Sequence, residues 1–331
     1  MDIAFWHSTL GGSPLMVGLQ RGLEALGHNV VQAHPAGEYD LLVVWNQIAH
    51  NPAYIYPDFP TRPCPIAFVD GAEYGYMRRH PWIVGEYANA FSAGSINHDT
   101  KNHFQQARLR QFLEGRSFPY FVREKSKYIN WPESYHGIDY PLYKLSEDHT
   151  PPNRDEYLSR SVPFWQCWGA SHPWRWGITH ALRNAGYECL VIEENGQIRI
   201  PQSEYFPRMR GARACCSFDG YGSSSFRKTE VLCRTLLLQG PLTVDFPYPL
   251  VDGETCVEFQ IESDGEDFVS CNIVDKLQWA LDNADSAFEI YRNGFEHCYA
   301  HYSEKATAEY LLRIVEAHDY SKETPLNVAA K

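Results

Sequence analysis

The chain is predicted to be an α/β protein built from two parallel-sheet, Rossmann-like domains facing across a cleft, and three observations lead there. Short apolar runs alternate with segments of helical period from the first residues onward, the pattern of parallel strands joined by crossover helices. At 331 residues the chain exceeds one ordinary core and suits two domains of about 150 residues, with a cleft between them. The last part of the sequence keeps only the helical period, so its closing helices are expected to cross back to the first domain. The boundaries are read as 1–150 for a first domain, 151–305 for a second, and 306–331 for a helix and tail returning to the first.

The elements can be justified in order. Strands are read at DIAFW, NVVQAH, DLLVVWN, PIAFVDG and FPYFV, because each is a short run of apolar, β-branched or aromatic residues bounded by turn formers. Between the first two, Leu15, Leu19, Leu23 and Leu26 make a helical stripe, with Pro14 suited to its first turn and Gly27 to its end. The segment WPESYHGIDYPLYKLSEDHTPPNRDEY breaks the period with prolines and tyrosines and reads as the interdomain linker. Beyond it the alternation resumes with VPFWQCWG, a helix over 173–185, YECLVIEE, a helix near 203–211 and ARACCSFDG. A helix over 225–238, the strands PLTVDF and CVEFQ, and helices over 272–283, 285–300 and 303–318 complete it.

In open α/β sheets ligands bind beyond the carboxyl ends of strands, so residues following each apolar run are the candidates. After DIAFW come His7, Gly11, Gly12 and Ser13, a glycine-containing loop without full dinucleotide-fingerprint spacing. After PIAFV come Asp70 and Glu73; after VPFWQCW come Gly169, Ser171 and Arg175. The fourth place, YGSSSFRKTEVLCRTLLLQG, is the richest: Tyr221, Gly222 and Ser225 belong to a small polar loop whose amides suit an anion. Arg227 and Lys228 open the helix that follows, where the macrodipole disfavours cations unless an anion is bound. Glu230 shares a helical face with Arg227, and either accepts hydrogen bonds from a ribose diol or forms a plain ion pair.

Composition excludes several classes. A net charge of −12 argues against a protein that coats nucleic acid generally, yet 101–127 carries seven cations against two carboxylates. Arg78, Arg79, Lys101, Arg108 and Arg110 are therefore read either as a solvated face or as a patch for a polyanionic acceptor. The nine cysteines form no CxxC pair and sit in apolar contexts, as reduced core residues do. With no run of about 18 apolar residues and no basic-then-apolar leader, the chain is expected to be cytoplasmic without a membrane partner. No Asp-x-Asp follows a strand, so no metal and no obligatory cofactor is expected. Oligomeric state is not readable.

FRKTEVLCRTLLLQGPLTVDF, then VDGETCVEF, then the helical tail together resemble the carboxyl-terminal domain of the two-Rossmann-domain (GT-B) glycosyltransferases, over roughly residues 205–318. IAFVDGAEYG, WGASHPWRW and the Arg-x-x-Glu of Arg227 and Glu230 more loosely resemble the phage DNA beta-glucosyltransferases. The resemblance implies a nucleotide-sugar donor, with a UDP-sugar favoured and a GDP-sugar allowed. It also implies Asp70 as catalytic base, with Glu73 or His7 in reserve. Gly169, Ser171, Arg175, Tyr221, Gly222, Ser225, Arg227, Lys228 and Glu230 would hold the donor. DNA bearing a hydroxymethylated pyrimidine is the leading acceptor. Gly222 stands where many retaining relatives have the first glutamate of a Glu-x7-Glu motif, which favours inversion. A protein, polysaccharide or small-molecule acceptor, a nucleotide-sugar epimerase, a nicotinamide oxidoreductase and a binding-only protein remain as other readings.

Overall fold

The apolar runs assemble into two parallel sheets. A computed structural model of the chain describes residues 1–6, 14–46, 59, 62–70, 111–123, 125, 127, 129–139, 141–142, 150–169, 173–192, 200–218, 226–242, 244–264, 267–325 and 329–330. It divides into one unit of Met1–Tyr143, Thr243–Pro247 and Ser303–Lys331, and another of Lys144–Leu242 and Tyr248–Tyr302.

The first unit opens with β1 (Asp2–Trp6), α1 (Pro14–Ala25), β2 (Asn29–Gln32), β3 (Leu41–Asn46) and β4 (Ile66–Asp70). It continues with β5 (Tyr120–Val122), β6 (Ile129–Asn130) and β7 (Tyr135–Gly137). Six of these strands form one sheet in the order β2-β1-β3-β4-β5-β7, and every pair is parallel. β7 is a correction: the proline-rich stretch read as linker contributes a sheet strand, its Tyr135 stacked on Tyr120 at 4.2 Å. Two prolines flanking a short run hide a strand that pairs through only three residues. The stripe of Leu15, Leu19 and Leu23 is fully buried, and α1 ends where Gly27 adopts φ 83°, its amide bonded to the Glu24 carbonyl.

The second unit begins with α2 (Arg154–Ser159), whose Asn153 side chain caps it by accepting from the Glu156 amide at 3.0 Å. Then come β8 (Val162–Gly169), α3 (Pro173–Asn184), β9 (Glu188–Ile192), α4 (Gln202–Gly211), β10 (Ala212–Ser217) and α5 (Phe226–Leu232). β11 (Leu236–Gln239), β12 (Val257–Glu258), β13 (Ile261–Asp264), β14 (Asp267–Cys271), α6 (Ile273–Asp282) and α7 (Ala284–Tyr302) complete it. The parallel sheet has the order β12-β11-β10-β8-β9.

Here the sequence reading needs three corrections. The helix expected over 225–238 stops at Leu232, and Leu236–Gln239 forms the strand β11, buried at every position. Leucine spacing fits either period, and a run buried on both sheet faces shows no alternation to separate them. PLTVDF is accordingly not the strand, and Thr243–Pro247 belongs to the first unit. The antiparallel hairpin β13–β14, whose pairing runs from Ile261 with Cys271 to Asp264 with Asp267, was not anticipated. The Arg160 guanidinium explains part of why β10 and β11 begin where they do, donating to the carbonyls of Ala212 and Arg234 and to the Thr235 hydroxyl.

The chain then returns to the first unit with α8 (Glu304–Ala317) and β15 (Ala329–Ala330), which pairs antiparallel with β6. Ala308, Leu311 and Leu312 of α8 join Leu15, Leu19 and Leu23 in one buried cluster on the sheet. Burying each such leucine contributes about 1.5–3 kcal/mol. The helices come close because Gly22 lacks a side chain: a Cβ there would stand 2.0 Å from the Glu304 carbonyl oxygen. No helix among the described residues is long and apolar enough to cross a membrane.

Candidate functional site

In the second sheet β9 and β10, the strands next in sequence after β8, lie on opposite sides of it. The gap between β8 and β10 is therefore the topological switch point, the place where open α/β sheets bind ligands. Three of the sequence candidates lie on the helices that follow these two strands, Arg175 on α3 and Arg227 and Glu230 on α5. Arg227, on the first turn of α5, donates from Nη1 to the Cys167 carbonyl of β8 at 2.6 Å. Its Nε lies 3.6 Å from Glu230 Oε2, and the two side chains keep only 20% and 19% of their exposure. Arg175, near the start of α3, has its guanidinium 5.9 Å from the centre of the Phe218 ring, just past the end of β10.

The ion pair is framed by aromatic rings. The Arg227 guanidinium sits 5.1 Å from the centre of the Tyr205 ring, which in turn meets Trp165 of β8 edge-on at 5.2 Å. Arg234 donates to the Glu230 carbonyl at 2.9 Å and packs over Phe206 at 3.7 Å. Burial pushes the Glu230 carboxyl up from its usual range, while Arg227, Arg234 and the Tyr205 hydroxyl pull it back down. A pair this deep is costly to desolvate and retains a strong local field, which suits binding of a charged, hydroxyl-bearing ligand better than it suits stability.

Lys228 goes elsewhere. It is 2% exposed, and its ammonium lies 4.7 Å from the centre of the Tyr302 ring on α7, so consecutive cations on α5 serve different neighbours. Successive residues on a helix are about 100° apart, so the two side chains leave α5 in different directions. Gly169 closes β8 opposite Ile192 of β9. In the first unit Asp70 ends β4, in register with Asn46 on one side and Val122 on the other.

Arg123, counted from sequence among the basic residues of 101–127, is 1% exposed, directly after β5, so it adds nothing to a solvent-facing basic surface. His7, Gly11, Gly12, Ser13, Glu73, Arg78, Arg79, Lys101, Arg108, Arg110, Ser171, Tyr221, Gly222 and Ser225 lie outside the described residues. Tyr205 and Phe218, whose rings lie against Arg227 and Arg175, and Trp165, which meets Tyr205, were not among the sequence candidates, since an aromatic in or beside an apolar run is ordinarily core. Seven of the nine cysteines are buried thiols, Cys64 and Cys271 being half-buried. Among the described residues no group of three His, Cys, Asp or Glu side chains could hold a metal ion.

No protein-family profile and no curated protein matches the sequence. Similarity is found among solved structures. The Anabaena protein HepE in complex with UDP-glucose has 9% identity and a TM-score of 0.49, over 96% of this chain and 100% of that one. An alpha-glucosyltransferase in complex with UDP and a 13-mer DNA containing a HMU base has 9% identity and a TM-score of 0.48, over 95% and 99%. The spinosyn forosaminyltransferase SpnP has 11% identity and a TM-score of 0.45, over 95% and 99%.

Proposed function

We propose that the chain is a glycosyltransferase that moves a sugar from a nucleoside-diphosphate donor to an acceptor hydroxyl. The observation that carries this reading is the half-sunk Arg227–Glu230 pair at the switch point of the second sheet, with Arg175 on the neighbouring helix. Two guanidinium groups near one strand edge suit a diphosphate, which they can meet with parallel N–H donors while its charge grows as the sugar leaves. Glu230 is placed to accept hydrogen bonds from the ribose hydroxyls. Lys228 is left out of this contact set, its ammonium being against Tyr302.

In the first unit Asp70, at the carboxyl end of β4, is assigned as general base. It takes the acceptor hydroxyl's proton as that oxygen bonds to the anomeric carbon and the bond to the diphosphate breaks, which inverts the anomeric centre. With no Asp-x-Asp after any strand, the departing charge is assigned to the arginines. For the acceptor the reading favours a hydroxymethylated pyrimidine in DNA, supported by the cations of 101–127 in an otherwise acidic chain.

Incubation with a panel of UDP- and GDP-sugars and hydroxymethylated DNA, read by mass spectrometry, tests this. The reading expects one sugar mass added per modified base, with acceptor binding that weakens steeply as salt rises. Transfer to another acceptor would overturn the DNA assignment alone. Free-sugar epimerisation without transfer, or no reaction with any donor, would overturn the transferase reading.

A further inference from the structure

Three polar atoms around the Arg227–Glu230 pair stand out. The Trp165 indole N–H, the Tyr205 hydroxyl and Glu230 Oε2 are buried with no hydrogen-bond partner among the described residues. Leaving such a group unsatisfied costs about 1–3 kcal/mol, so three in one cluster need an explanation. They come from separate elements, β8, α4 and α5, drawn together by the contacts of Trp165 with Tyr205 and of Tyr205 with Arg227. Glu230 is thereby divided: Oε2 faces inward to Arg227, while the side chain's remaining exposure of 19% belongs to its other atoms.

We propose that Tyr205 is a positioning residue for Glu230: its hydroxyl backs the inward carboxylate oxygen, so that the outward oxygen is turned, ionised, toward the donor. This rests on the donor-site reading given above and names a residue that reading does not use. Among the described residues the other charged or titratable groups near the carboxylate have different parts. Arg227 pairs with it, Arg234 holds its backbone carbonyl, and the nearby Cys167 and Cys215 thiols are kept protonated by burial. Tyr205 itself stays a phenol, since burial drives its proton affinity far up and the Glu230 charge adds to that effect, outweighing the pull of Arg227. It is thus a permanent O–H donor beside an acceptor that needs one. The hydroxyl is near enough to lower the carboxyl's pKa although no hydrogen bond is closed between them here.

The test is calorimetric titration of UDP and GDP into the wild type, Tyr205→Phe, Glu230→Gln and the double variant across pH. Tyr205→Phe keeps the ring between Trp165 and Arg227 and removes only the hydroxyl. If the hydroxyl closes onto the carboxylate when nucleotide binds, that charged hydrogen bond is worth enough for its loss to raise the nucleotide Kd about ten-fold. Affinity falls in acid as Glu230 takes up its proton, and losing Tyr205 moves that limb to higher pH. In the Glu230→Gln background the loss of the hydroxyl adds nothing. Wild-type affinity with an unmoved acid limb in Tyr205→Phe would overturn the proposal, as would an equal loss in both backgrounds. If the wild type binds neither nucleotide, the donor-site reading itself falls, a failure distinct from those two.

Discussion

The two units share one strand order but differ in the charged residues that their strands and helices carry. In each sheet the second strand lies outside the first, and the third, fourth and fifth follow on the other side. In the second sheet the helices after β8 and β10 carry Arg175, against Phe218, and the pair Arg227–Glu230, against Tyr205, which meets Trp165. In the first sheet β4 ends in Asp70. The difference teaches that strand order decides where an open sheet can form a site, and that the residues at the strand ends and on the helices that follow decide its chemistry.

The largest expected effect breaks the comparison on the first unit's side. Asp70→Asn should lower turnover by about 10²–10⁴-fold, the usual worth of a general base, with UDP or GDP affinity within two-fold of wild type. Retained turnover would remove Asp70 from the mechanism.

A second contrast lies within α5. Arg227→Lys should weaken nucleotide binding about ten-fold or more, because an ammonium cannot reproduce two parallel donors or stack flat on Tyr205. Lys228→Met, one residue away, should leave nucleotide affinity within two-fold, since its ammonium faces Tyr302. Equal effects in a titration of both variants would mean that the two cations are not divided between ligand and interior.

The smallest effect concerns the first unit's stability. Burial, with Lys125 and His318 adding to it, lowers the His136 pKa to about 4, so the fold favours neutral imidazole. That contribution is complete above the ordinary value of about 6.5 and is lost as pH falls through the folded-state value. Thermal unfolding should show the wild type losing stability between those limits, and His136→Gln losing less. Parallel curves would exclude His136 as a source of acid sensitivity.

Much of this was legible in the sequence, for identifiable reasons. β1, β3, β4, β8 and β10 are apolar runs with clear boundaries, and the stripe of α1 has a proline at its start and a glycine at its end. The i,i+3 spacing of Arg227 and Glu230 put both on one face, and the structure pairs them. What stayed hidden depends on tertiary context. β7 is too short and too rich in flanking prolines to show a period, and the leucines of β11 read equally well as helix. Tyr205 carries no local signal, because its importance comes from Trp165, about forty residues earlier, and from Glu230, which only the crossover topology brings beside it.

The central claim, that the switch point of the second sheet holds a nucleoside diphosphate, is tested most directly by a crystal structure of the protein soaked with UDP or GDP. The account predicts the diphosphate within hydrogen-bond distance of the Arg227 and Arg175 guanidinium groups, and the ribose hydroxyls on the Glu230 carboxylate. A nucleotide bound elsewhere, with Arg227 and Glu230 touching only each other, would contradict it.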